Sequence, residues 1–93
     1  MPTIHPNAAA LDIGADEIAV AVPPDRDAEP ARVFRTFSPD LLALVTWLVA
    51  CDIDTVALES TGVYWVPIYE LLKQHGILAV LLSHLLDSVP PIE

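Results

Sequence analysis

Ala57-Leu58-Glu59-Ser60-Thr61-Gly62-Val63-Tyr64-Trp65 decides how this chain folds. Val56 to Leu58 are apolar, so the stretch reads as a buried strand that ends on a carboxylate and then breaks at Thr61-Gly62 into a helix. A lone acid at that point is costly to bury unless a partner or a cation meets it. Upstream, Ala10-Leu11-Asp12-Ile13-Gly14 repeats the pattern, with an apolar strand that carries an acid near its end. The functional reading rests on Asp12 and Glu59 lying side by side.

Working outward, residues 1–7 hold two prolines and little pattern and read as a loose tail. Residues 8–82 read as one α/β unit. Ala8 to Ile13 is the first strand, and Gly14-Ala15-Asp16 is a turn in which glycine can take positive φ. Glu17 to Val22 is the second strand, with Ile18, Val20 and Val22 on one face and Ala19 and Ala21 on the other. Pro23-Pro24-Asp25-Arg26-Asp27 is turn chemistry. Ala31 to Thr36 is a third strand, with Val33 alternating against Phe34.

Ser38-Pro39-Asp40 opens a helix, with Ser38 expected as the N-cap and Pro39 at the first helical position. Leu41, Leu44, Val45 and Leu48 form its apolar stripe, widened by Leu42 and Val49. Trp47 is expected in the core. Asp54 to Glu59 is the fourth strand. Thr61 is the expected N-cap of a second helix in which Pro67 must sit in the first turn and which Gly76 closes. Ile77 to Leu82 is a fifth, wholly apolar strand, and residues 83–93 follow as a tail. Three meandering strands, helix, strand, helix, strand match a ribonuclease H-like layout, a mixed five-stranded sheet with the fourth strand beside the first.

Composition narrows the options. The chain has 93 residues, one domain at most, and 54% of them are hydrophobic. That share, with a mean hydropathy of +0.52, suggests surfaces that meet something else. Thirteen acids against four bases give a net charge of −9. Phosphate contacts need Lys and Arg, so any grip on nucleic acid must come through bound metal or another chain or domain. Cys51 is alone, which excludes a disulfide framework within the chain and fits a reducing, cytoplasmic setting. No signal peptide is recognisable, and no apolar run reaches the ~20 residues of a membrane span.

Two adjacent carboxylates repel unless a cation sits between them. Oxygen-only ligands select hard cations, Mg²⁺ or Mn²⁺. Two such ions clamp the attacking and leaving oxygens of a phosphodiester displacement. A helix start directly after Glu59 would add N–H groups that favour phosphate, which makes Thr61 and Gly62 the phosphate-proximal residues. Two acids alone also fit solvated strand ends.

Leu58-Glu59-Ser60-Thr61-Gly62-Val63-Tyr64-Trp65-Val66-Pro67-Ile68-Tyr69-Glu70-Leu71-Leu72 resembles the corresponding motif of the insertion sequence 110 family of transposases. Leu11-Asp12-Ile13-Gly14 and the Val-containing strand after it resemble that family's opening. The similarity runs from about Ala8 to Leu82. It implies a ribonuclease H-like catalytic domain close to Holliday-junction resolvases, with four acids in the order Asp, Glu, Asp, Asp. It also implies Mg²⁺-dependent DNA cleavage and strand exchange, a guide RNA bridging donor and target DNA, and a second domain with a nucleophilic serine. Asp12 matches the first acid and Glu59 the second, as catalytic and metal-binding residues.

The chain departs from the family after its fifth strand. Asp87 is not in a matching context, the basic residue expected after the first acid is replaced by Gly14-Ala15-Asp16, and the serine domain has no counterpart. A truncated transposase, inactive alone, is the expectation. The alternative is a non-catalytic interaction module that self-associates or pairs with an intact transposase. An actin-like phosphate-binding fold ranks last, because no second glycine-rich loop appears.

Among the remaining residues, Asp16 reads as an exposed turn acid, and Ser60 lacks the context of a hydrolase nucleophile. Tyr64 and Trp65 are expected to pack on the sheet. His75 sits near a helix C-terminus, where a cation is favoured. His5 and His84 lack zinc-ligand spacing.

Overall fold

The computed structural model of the protein describes residues 7–82. His5, His84, Asp87 and the expected terminal segments 1–6 and 83–93 lie outside the described residues. The elements are β1 (Ala8–Ile13), β2 (Glu17–Ala21), β3 (Ala31–Arg35), α1 (Ser38–Ala50), β4 (Thr55–Ser60), α2 (Val66–Gln74) and β5 (Leu78–Leu81). They build an α/β fold with a five-stranded mixed sheet in the order β3-β2-β1-β4-β5. β1 to β3 form an antiparallel meander, while β4 pairs parallel with both β1 and β5.

Strand alternation creates two unlike faces. Leu11, Ile13, Ile18, Val20, Val56 and Leu58 point one way and are at most 2% exposed. Against them pack Leu41, Leu44, Val45 and Leu48 of α1 and Ile68 and Leu72 of α2. Each such side chain contributes roughly 1.5–3 kcal/mol when fully buried. The opposite face carries Ala10, Ala19, Ala21, Ala31 and Val33, all exposed, and no described helix covers it.

Several local expectations are corrected. The N-cap of α1 is Phe37, not Ser38, which is already helical; no side chain caps that end, and Pro39 keeps its place in the first turn. Leu42 and Val49 are 50% and 47% exposed, so they do not widen the buried stripe. No described element covers that helix flank, and hydropathy alone cannot tell it from the core. Gly14 does not use positive φ; its N–H donates to Glu17 O at 2.9 Å and closes the hairpin in an ordinary conformation. Gly76, at φ +76°, ends α2 as expected, with Ile77 N–H donating to Leu72 O.

Trp47 is half-buried rather than fully in the core, and its indole N–H explains why. Nε1 donates to Asp27 Oδ2 at 2.9 Å, while Asp27 Oδ1 accepts from Arg32 at 2.9 Å and from Glu29 N–H at 2.8 Å. The Arg32 guanidinium lies 4.4 Å from the Trp47 ring centroid. This knot fastens the β2–β3 connection to α1. The Trp47 hydrogen bond, then those from Glu29 and Arg32, hold the Asp27 carboxyl down at about 2, below its ordinary 3.8.

A folded-state pKa below the unfolded one stabilises the fold above pH about 4, and the gain is lost as pH falls through about 2. The wild-type chain should therefore melt higher than Asp27→Asn at pH 5, with the gap closing by pH 2. A gap that persists undiminished at pH 2 would place its origin elsewhere.

Candidate functional site

β1 and β4 run parallel in the register Ala8↔Thr55 through Ile13↔Ser60, which sets Asp12 directly beside Glu59. Neighbouring strands lie ~4.8 Å apart, so the two carboxylates leave the sheet from adjacent backbone positions. Their sequence neighbours Leu11, Ile13 and Leu58 are buried under the helices. Asp12 and Glu59 therefore stand together on the other, open face, and both are exposed. Each is the penultimate residue of its strand, at the carboxyl end of a parallel pair. Ligands of open α/β sheets gather at such ends.

Alanines make the surroundings flat. Asp12 pairs across β1–β2 with Ala19, and Ala10 sits between Ala21 and Ala57. The resulting groove, of about 480 Å³, is lined among others by Ala10, Asp12, Ala19, Ala57, Glu59 and Leu82. Side chains this short let a ligand approach the backbone closely.

A second depression of about 380 Å³ joins Asp12 to Asp16 and Glu17. Sequence reasoning assigned Glu17 no part here. The signal available for it was its place at the start of β2, beside the turn that follows Asp12. One base moderates this acidic end. Arg35 is the register partner of Glu17 and lies with its guanidinium carbon 5.3 Å from the Phe37 ring centroid. The concentration of acids favours cations over phosphates.

Thr61 and Gly62 are placed differently from the expectation. α2 begins at Val66 with Trp65 as its N-cap, and residues 61–65 form a turn. Thr61 caps no helix; its backbone N–H instead reaches Ile13 O at 3.4 Å and carries the β1–β4 pairing just past Glu59. Gly62 takes φ +63°, and an added Cβ would have room, 3.8 Å from the Tyr64 ring, so backbone conformation is what favours glycine there. α2 does not begin beside Glu59, which removes that reason for placing a phosphate at Thr61 and Gly62.

Tyr64 is 49% exposed and does not bury itself on the sheet, unlike Trp65, which is half-buried and meets Tyr69 edge-on at 5.4 Å. His75 ends α2 as expected, with Nδ1 2.9 Å from Leu71 O.

Among the described residues, no group of three or more His, Cys, Asp or Glu side chains converges as a metal cage. A pair of exposed carboxylates fits a hard cation that keeps several of its own waters, the usual habit of Mg²⁺. It does not fit zinc, which takes three or four protein ligands. Among the described residues, no helix is long and apolar enough to cross a membrane. No known protein family and no curated protein matches the chain, so the chemistry of Asp12 and Glu59 rests on their geometry.

Proposed function

We propose that residues 8–82 are the metal-binding first portion of a ribonuclease H-like nuclease domain, of the kind that serves DNA transposition and recombination. One observation carries this reading: Asp12 and Glu59 are register partners at the carboxyl ends of two parallel central strands, on the face that the helices leave open. The strand order, with an antiparallel meander followed by parallel strands joined through helices, is the layout such a domain requires. The motif likeness from Leu58 to Leu72 supports the same assignment.

Asp12 and Glu59 would hold Mg²⁺ or Mn²⁺, which when bound polarises a phosphodiester and activates an attacking water. Their part is to fix the cation between adjacent strand ends, and the alanine floor leaves space for a sugar-phosphate chain to approach. At a net charge of −9 the chain itself repels DNA, so contact with DNA and a guide RNA would pass through the cation and through polypeptide beyond these residues. The two later acids and the serine nucleophile of the full arrangement have no counterpart in residues 8–82.

Calorimetric titration with Mn²⁺ and with Mg²⁺ tests the site. Asp12→Ala and Glu59→Ala should each weaken binding at least tenfold. Equal affinity in wild type and both variants would remove the metal role and leave the second reading, an interaction module. That reading draws on the exposed apolar side chains Val33 and Leu78, 62% and 60% accessible.

A further inference from the structure

The two edges of the sheet are not alike. β3 is guarded: Pro30 precedes it, and it carries Arg32 and Arg35. Such charges and prolines are the usual devices that keep an edge from pairing with another chain. β5 forms the other edge and has none of them, since from Ile77 to Leu82 the chain carries neither charge nor proline. In a chain of net charge −9, this stretch adds no charge of its own to the repulsion between copies.

Backbone geometry shows what the edge offers. Leu78 N–H donates to Asp54 O at 2.9 Å, toward β4. The direction alternates along a strand, so Ala79 and Leu81 turn their N–H and C=O groups outward. No described strand lies on that side. Register fixes the side chains. Leu78 pairs with Thr55 and Val80 with Ala57 on the open face, while Ala79 and Leu81 pair with Val56 and Leu58 on the helix side.

We propose that β5 is a homodimer edge, at which two copies join antiparallel about a two-fold axis through Val80. In that register Ala79 of each copy exchanges both backbone hydrogen bonds with Leu81 of the other, four bonds that use every outward group of the strand. Val80 then faces Val80 of the second copy as a non-hydrogen-bonded pair, whose Cα atoms approach to ~4.5 Å. Leu78, 60% exposed, flanks the paired segment at each end, and the strand stops at Leu81, just before the chain turns helical at Leu82. The edge is self-complementary, which an isologous interface requires. An unrelated partner strand would find no charge here to recognise. The proposal does not depend on the metal site, since Asp12 and Glu59 sit on β1 and β4.

Sedimentation equilibrium over roughly the micromolar-to-millimolar range, paired with amide hydrogen exchange, tests it. The chain should pass from monomer to dimer, and the Ala79 and Leu81 amides should gain protection as concentration rises. Val80→Lys sets two like charges directly opposite each other and should weaken dimerisation at least tenfold. Leu42→Lys, on the exposed flank of α1, should leave it unchanged.

A monomer at every concentration would overturn the proposal. So would association that leaves the exchange of Ala79 and Leu81 unaltered, whether because another surface pairs or because the chain's own continuation covers the edge. Exchange is read on the wild-type chain, so the result stands even if Val80→Lys fails to fold.

Discussion

Leu58→Ala should lower the unfolding free energy by about 2–5 kcal/mol, whereas Glu59→Ala, one residue further on, should change it by less than about 0.5 kcal/mol. The contrast follows from strand alternation. Leu58 is fully buried between the sheet and its helices, and truncating it leaves a cavity that the close-packed β1 and α1 side chains cannot fill. Glu59 projects from the other face into the open groove. A domain of this size holds roughly 5–15 kcal/mol in total, so the leucine variant forfeits a large part of its stability. Urea denaturation of both variants measures the difference. Similar losses at the two positions would mean that the open face is packed as tightly as the core.

The second large effect follows from the proposed site and is stabilisation by a bound cation. A ligand that binds the folded chain alone, at a hundredfold excess over its dissociation constant, adds about 2.7 kcal/mol. In a domain of this length each kcal/mol moves the melting temperature by about 4–8 °C, so saturating Mn²⁺ should raise it on the order of 10 °C or more. In the proposed site both carboxylates hold the ion, so the gain should fall by at least about half in Asp12→Ala and in Glu59→Ala at the same Mn²⁺ concentration. Calcium, with its longer bonds and larger coordination number, tests whether size as well as charge matters. A Mn²⁺ shift of equal size in wild type and both variants would assign the binding to other acids, of which the chain has many.

Much of this arrangement was legible in the residues. Period-two alternation marked Ile18, Val20 and Val22 as inward and Ala19 and Ala21 as outward, and their burial agrees. The stripe Leu41, Leu44, Val45 and Leu48 marked the face of α1 that covers the sheet. The neighbourhood of Asp12 and Glu59 followed from placing the fourth strand beside the first, which is where it lies.

Local signals misled where tertiary context decided. Thr61 has a capping side chain, but Gly62 turns the chain at positive φ and α2 waits until Val66, just ahead of Pro67. Leu42 and Val49 have core hydropathy, yet among the described residues no second layer reaches that flank of α1. Tyr64 is aromatic but lies in the turn and stays exposed. The alanine floor could be read only in hindsight, because alanine is as much at home in a helix as on an open strand face. The edge position of β5 among the described strands needs the strand order, which no run of apolar residues specifies.

NMR broadening by substoichiometric Mn²⁺ probes the proposed shared site most directly. A single ion held by register partners should broaden the signals of Asp12, Ile13, Glu59 and Ser60 together, at one Mn²⁺ concentration, and Asp12→Asn should abolish the effect at Glu59 as well as at its own position. Signals of Asp12 and Glu59 that broaden at different concentrations, or a Glu59 response that survives Asp12→Asn intact, would show that the two acids do not share a cation.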